Sequence, residues 1–213
     1  MSEMGIRERV TNILLLLYLI EQANAKGKVE DELKLQKLVF LAQNEFVKRR
    51  LKAFSYNFFR WRKGPFSKNL RIDLITVLQS NFVKEESNRI ELTDKAREVL
   101  ENCSELFTEN KHFLKWIDSI ADKYSKYPSD DIKEFVYSLQ VMVPKVRRIM
   151  AIQDISPSQL ILFKTSDKKA RGIFRIDESW LATLELTFDK EARESLARAA
   201  DDAAEGRAYE LNV

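Results

Sequence analysis

The sequence predicts a mainly helical α+β protein, and three observations carry that prediction. Only 5 glycines and 4 prolines interrupt 213 residues, while 45% are hydrophobic and 32% charged, a composition suited to amphipathic helices around a sizeable core. Apolar residues recur at helical spacing through much of the chain. Period-two stretches are few and short, too few for an all-β fold.

The first helix is read from Ile6, Val10, Ile13, Leu14, Leu17 and Ile20, and ends near Asn24 to Gly27. Its run ILLLLYLI (Ile13 to Ile20) is far short of the roughly 20 apolar residues that span a bilayer, so it is a buried helix. A second helix starts about Asp31, with Leu35, Leu38, Val39, Ala42 and Phe46 on one stripe. FSYNFFRW follows, a short strand or an extended segment with Phe54, Tyr56 and Phe58 facing one way. Gly64-Pro65 is expected to turn the chain. Ser67 caps a third helix through Gln79, because its hydroxyl can accept from a free N–H of the first turn.

FVKEESNRIELT reads as a hairpin with its turn at Ser87-Asn88, and Thr93 caps the next helix. Three helices, a hairpin and a helix follow the order of a winged helix-turn-helix. Helices are expected over Thr93 to Phe107, Lys111 to Tyr124 and Ser129 to Leu139. After Asp154 the character changes. LILFK and GIFRID look like strands, WLATLELTF a third strand, and Asp189 to Glu205 a helix closed by Gly206. Two units are therefore expected: a winged-helix-like helical domain over residues 1–155, and a small strand–helix segment over residues 156–213.

Several function classes are disfavoured at once. A single histidine, His112, and a single cysteine, Cys103, cannot assemble a zinc site or a Cys-His pair. The glycines are isolated, so no phosphate loop is present. No enzyme, cofactor or metal is expected. One cysteine and no basic leader suggest a reducing cytoplasm, with no membrane partner.

Charge is uneven. Residues 34–84 hold twelve Lys/Arg against Glu45 and Asp73, a balance of +10, whereas residues 177–213 balance to −6. Dense cations bind phosphate through counterion release. Arg60, Arg62, Lys63, Ser67, Lys68, Asn69 and Arg71 are the candidate DNA contacts, clustered at the start of the third helix. Ile72 argues against this, since it falls on the face that would enter the groove.

In WLATLELTF, Trp180, Ala182, Leu184, Leu186 and Phe188 form one apolar face. The helix after it has Leu196 as its only large apolar side chain, worth roughly 1.5–3 kcal/mol when buried. Ordering each backbone residue costs about 1–2 kcal/mol. The unit is therefore expected to dock on the main domain, a second copy or another protein.

KLQKLVFLAQ (Lys34 to Gln43), an aromatic segment and KGPFSKNL (Lys63 to Leu70) together resemble the Panacea domain, a family of prokaryotic antitoxins and phage-linked proteins, over about residues 7–152. LATLELTF and the helix after it are similar to the toxin-neutralising tails of small type II antitoxins, with Thr183, Leu184, Glu185, Leu186 and Gly206-Arg207 matching. The resemblance implies an antitoxin that masks a small basic protein toxin. Trp180, Leu184, Leu186, Phe188 and Leu196 would be apolar anchors, and Glu185, Asp201, Asp202, Glu205 and Arg207 polar contacts. Alternatives are a winged-helix transcription regulator on its own promoter, with or without a toxin partner, and an adaptor for folding or degradation. A homodimer is compatible with any of them.

Overall fold

The computed structural model describes residues 5–144 and 147–204. Its elements, in chain order, begin with helices α1 (Ile6–Lys26) and α2 (Glu32–Lys48). Strands β1 (Leu51–Lys52), β2 (Phe58–Trp61) and β3 (Gly64–Phe66) lead into α3 (Lys68–Gln79). The hairpin β4 (Val83–Glu86) and β5 (Arg89–Leu92) precedes α4 (Asp94–Asn102), α5 (Ser104–Glu109), α6 (Lys111–Tyr124) and α7 (Ser129–Ser138). Then come β6 (Gln140–Val143), β7 (Arg148–Ala151), β8 (Leu160–Leu162), β9 (Gly172–Ile173), α8 (Glu178–Phe188) and α9 (Lys190–Ala204). The chain is mainly helical with small sheets, as composition and periodicity predict.

The apolar run of α1 makes it the central helix. Ile13, Leu14, Leu15, Leu16, Leu17, Leu19 and Ile20 are all buried, on every side of the helix. It packs against α6, α8, β5, α3 and α4. Beyond its end, Gly27 lies against the C-terminal end of α6. A Cβ there would sit 2.4 Å from the Ser125 carbonyl oxygen, so glycine alone fits.

The cap read at Ser67 is present, and Asp31 caps α2 where that helix is expected to start. Asp31 accepts from Lys34 N at 2.7 Å, and Ser67 from Leu70 N at 3.4 Å. Ser87 and Asn88 both take positive φ, 49° and 57°, the backbone that a two-residue hairpin turn requires. Thr93 behaves differently: its hydroxyl donates to Asn81 O at 2.8 Å and tethers the hairpin rather than capping α4. The long fourth helix is broken at Cys103 into α4 and α5.

The segment FSYNFFRW is a strand only from Phe58. Its first half is extended, and its backbone is held by side-chain amides instead of a neighbouring strand. Ser55 N donates to Asn12 Oδ1 at 2.8 Å. Tyr56 N donates to Gln43 Oε1 at 3.0 Å, and Gln43 Nε2 returns a bond to Tyr56 O at 2.5 Å. Phe54, Tyr56 and Phe58 are buried as their alternation indicates.

The expected turn at Gly64-Pro65 is displaced by two residues. Arg62 and Lys63 form the turn, Trp61 pairs with Gly64, and Gly64-Pro65 begins β3. Gly64 has φ +92°, closing the loop with a left-handed residue after the turn. Pro65 sits on an edge strand, where its missing N–H breaks no ladder bond. Gly64→Ala is expected to lower stability by about 1–3 kcal/mol, seen as a drop in denaturant midpoint. The new Cβ would carry a disfavoured φ and stand 3.3 Å from Lys37 Cε.

The largest correction is to the third expected strand. WLATLELTF is helix α8. Its apolar residues satisfy both periods, because Trp180, Leu184 and Phe188 also recur every four residues. What decides the helix is Asp177, whose side chain accepts from Trp180 N at 2.8 Å. Glu178 lies in the first turn, near the positive end of the helix dipole.

Residues beyond 155 share the main core. β8 pairs antiparallel with β2, and β9 pairs parallel with β1. Ile161, Leu162, Phe174, Ile176, Leu184 and Phe188 belong to the same buried cluster as α1. Glu8 on α1 takes Lys52 at 2.8 Å and Lys164 at 2.6 Å, riveting the late segment to the early one. Among the described residues no helix is long and apolar enough to cross a membrane.

Candidate partner-binding site

Helix α2 carries the KLQKL run, and Lys34, Gln36 and Lys37 within that run are all buried. Lys34 donates to Ser125 O at 2.8 Å and Tyr127 O at 2.7 Å, capping the end of α6. Glu30 is 3.8 Å away. Burial pushes its pKa down, against the pull of Glu30. Gln36 reads the backbone of Ser67 from both sides, accepting from its N–H at 2.9 Å and donating to its carbonyl at 3.1 Å. Lys37 donates to Pro65 O at 2.8 Å. Thus one helix holds both the α6–α7 connection and the β3–α3 junction. Composition counts these lysines as surface charge; nothing local in the sequence reveals partners 28 to 93 residues away.

The candidate DNA contacts separate into two groups. Ser67 is buried and spent as the cap of α3. Arg60 donates to Ile152 O at 3.2 Å and lies over the Tyr137 ring at 4.9 Å, so it has a structural job. Asn69 is half-buried. Arg62, Lys63, Lys68 and Arg71 are exposed. Arg71 stands 3.7 Å from Glu32. Arg62, Lys63 and Arg71 meet Trp61, Phe66 and Lys37 around one concavity between α2, the β2–β3 hairpin and α3.

The candidate partner contacts of the tail also separate. Leu184 and Phe188 are buried, with Phe188 edge-on to Phe82 at 5.4 Å. They hold α8 on α1 and are not exposed anchors. Trp180, Glu185 and Leu186 are half-buried. At the α8–α9 junction Asp189 accepts from Ala192 N at 3.1 Å and lies 3.5 Å from Arg9. Arg193 donates to Leu186 O at 3.2 Å. Beyond this hinge the helix leaves the body: every residue from Glu194 to Ala203 is exposed, Leu196 by 56%. Asp201 and Asp202 lie on this exposed part. Glu205 and Arg207 fall outside the described residues.

Arg9 also approaches Asp73, at 4.0 Å, and Tyr56 donates to the same carboxylate at 2.8 Å. Burial raises the Asp73 pKa from 3.8 to about 6, with Tyr56 and Arg9 opposing. A carboxyl whose folded pKa is raised stabilises the fold fully below its unfolded pKa. That contribution is lost as pH rises from 3.8 through about 6, a change of about 3 kcal/mol. Asp73→Asn keeps an acceptor for Tyr56 and is expected to abolish this slope. The difference in unfolding free energy between parent and variant, measured at pH 4.5 and 7.5, checks it; an unchanged difference would contradict the assignment. Cys103 is buried, its thiol pushed up to about 11, and is chemically quiet.

The KLQKL clamp holds the glycine-proline hairpin and the start of α3. A family model described as Antitoxin SocA-like, Panacea domain matches residues 35–140. The chain is a Panacea-domain protein. The match spans α2 to the start of β6, somewhat less than the expected 7–152, and leaves α8 and α9 outside. No curated protein matches the chain. In this Panacea domain the KLQKL run is internal scaffolding: Gln36 and Lys37 set the hairpin and the third helix in place.

Proposed function

We propose that this Panacea-domain protein is the antitoxin of a prokaryotic toxin–antitoxin pair and that it masks a basic protein toxin with α9. The observation that carries this is the run from Glu194 to Ala203, exposed at every residue in a helix held at its N-terminal junction with α8. Its stripe of Ala192, Leu196, Ala199 and Ala203 offers an apolar face at helical spacing. Glu191, Asp201 and Asp202 flank that stripe with negative charge, which favours a positively charged partner surface. The family supports an antitoxin role, and the acidic balance of the tail supports the sign of the partner. Trp180, Glu185 and Leu186 extend the contact onto α8. The protein acts here by binding, as a steric mask, and not as an enzyme.

Binding to promoter DNA is the weaker reading. The order α3, β4–β5, α4 is compatible with a winged helix, but α3 exposes Ile72 by 46% and Ile75 by 43% beside Lys68 and Arg71. The β4–β5 hairpin carries Glu85 and Glu86 at its exposed end.

Co-expression with the product of the adjacent reading frame tests the proposal. Full-length protein is expected to restore growth, and Leu196→Asp to lose that rescue with an unchanged melting temperature. Rescue by Leu196→Asp at full strength would remove α9 from the mechanism.

A further inference from the structure

The concavity beside the β2–β3 hairpin is not used by the α9 mechanism, and its lining is unusual. It has a volume of about 280 Å³, near the lower end of the roughly 300–1,000 Å³ typical of small-molecule sites. Four cations line it, Lys37, Arg62, Lys63 and Arg71, against one carboxylate, Glu32. That carboxylate is already engaged by Arg71 at 3.7 Å and Gln36 at 3.4 Å. Among the described residues Arg62 and Lys63 have no ion-pair partner. Trp61, 51% exposed, and Phe66 supply the apolar wall, their rings 6.3 Å apart.

Lys37 is the second, independent observation. It is only 2% exposed, yet its ammonium has three protons and a single hydrogen-bond acceptor, Pro65 O. A buried cation short of acceptors is a costly arrangement. Gly64 preserves it, since any Cβ there would press on Lys37 Cε. An anion in the concavity would supply the missing acceptors.

We propose that this pocket binds a nucleoside monophosphate, its phosphate among Lys37, Arg62, Lys63 and Arg71 and its base against Trp61. The surplus of donors suits an oxyanion with three terminal oxygens, and guanidinium groups match it in geometry. The half-bare indole offers a stacking face for a planar ring. The volume accommodates one nucleotide and not a duplex. Toxin masking by α9 is independent of this site.

Isothermal titration of the full chain with adenosine monophosphate tests the proposal. Saturable 1:1 binding is expected, with adenosine and inorganic phosphate each at least tenfold weaker. Arg62→Ala with Lys63→Ala is expected to weaken binding tenfold or more without altering the melting curve, because neither side chain holds the fold. Trp61→Ala is expected to weaken it too. Affinity is expected to fall as pH rises through 7, since burial lowers the Lys37 pKa to about 7. The groups facing that lysine are Asp31, Glu32, Lys63, Arg71 and Tyr137. Lack of saturable binding at millimolar nucleotide would overturn the proposal. So would equal affinity for adenosine, unchanged affinity in the double variant, or binding of a short DNA duplex in preference to the nucleotide.

Discussion

Lys34→Met is expected to lower the stability of the chain by about 3–5 kcal/mol, the range found when one partner of a buried ionic arrangement is removed. The ammonium is wholly buried and joins three things: the carbonyls of Ser125 and Tyr127 and the carboxylate of Glu30. Methionine fills nearly the same volume, so the loss is electrostatic and not a cavity. It leaves two carbonyls at the end of α6 without their donor. It also leaves Glu30 with less positive charge nearby, although Ser129 still donates to it at 2.8 Å. For a chain of this size the change corresponds to roughly 10 °C in melting temperature. Paired denaturation curves measure it directly, and a loss below about 1 kcal/mol would mean that the cap on α6 is not holding the bundle.

Gln43→Met is expected to cost about 2–4 kcal/mol for a related reason. The amide of Gln43 satisfies both the N–H and the carbonyl of Tyr56, a fully buried residue whose backbone has no strand neighbour. Methionine matches the shape and makes neither bond. Each stranded buried group costs about 1–3 kcal/mol. The damage is expected to be local: amide exchange at residues 54–57 accelerates more than exchange in α1. Uniform acceleration across the molecule would instead assign Gln43 to global packing.

These two residues show why the fold was more legible than the site. Helical spacing in α1, the start of α2 about Asp31, the cap at Ser67 and the Ser87-Asn88 turn depend on neighbours in sequence, and all four are read correctly from sequence. Lys34, Gln36, Lys37 and Gln43 act on partners far along the chain, so their burial has no local signature. Two of the twelve cations counted in the basic block are therefore interior. In WLATLELTF the alternation was real but ambiguous, and Asp177 three residues before Trp180 was the cap that distinguished helix from strand. With Leu196 as the only large apolar residue of its helix, the C-terminal unit is expected to dock; α8 docks on α1, whereas Glu194 to Ala203 of α9 stay exposed. That Leu184 and Phe188 close the core, and so are withheld from any partner, required the packing of α8 on α1. The candidate phosphate-binding pocket joins α2 to the β2–β3 hairpin, and only the turn at Arg62-Lys63 brings its cations together.

The central claim is that α9 is the surface that meets the partner. The direct measurement is binding of the purified product of the adjacent reading frame to the full chain and to a chain ending at Asp189, side by side in a titration calorimeter. Leu184 and Phe188 remain in place after that truncation, so α8 stays docked and the shortened protein is expected to keep a cooperative melt. Saturable binding by the full chain, weakened at least a hundredfold in the shortened one, is the expected result. Equal affinity of the two chains would contradict the account and move the partner surface elsewhere on the Panacea domain.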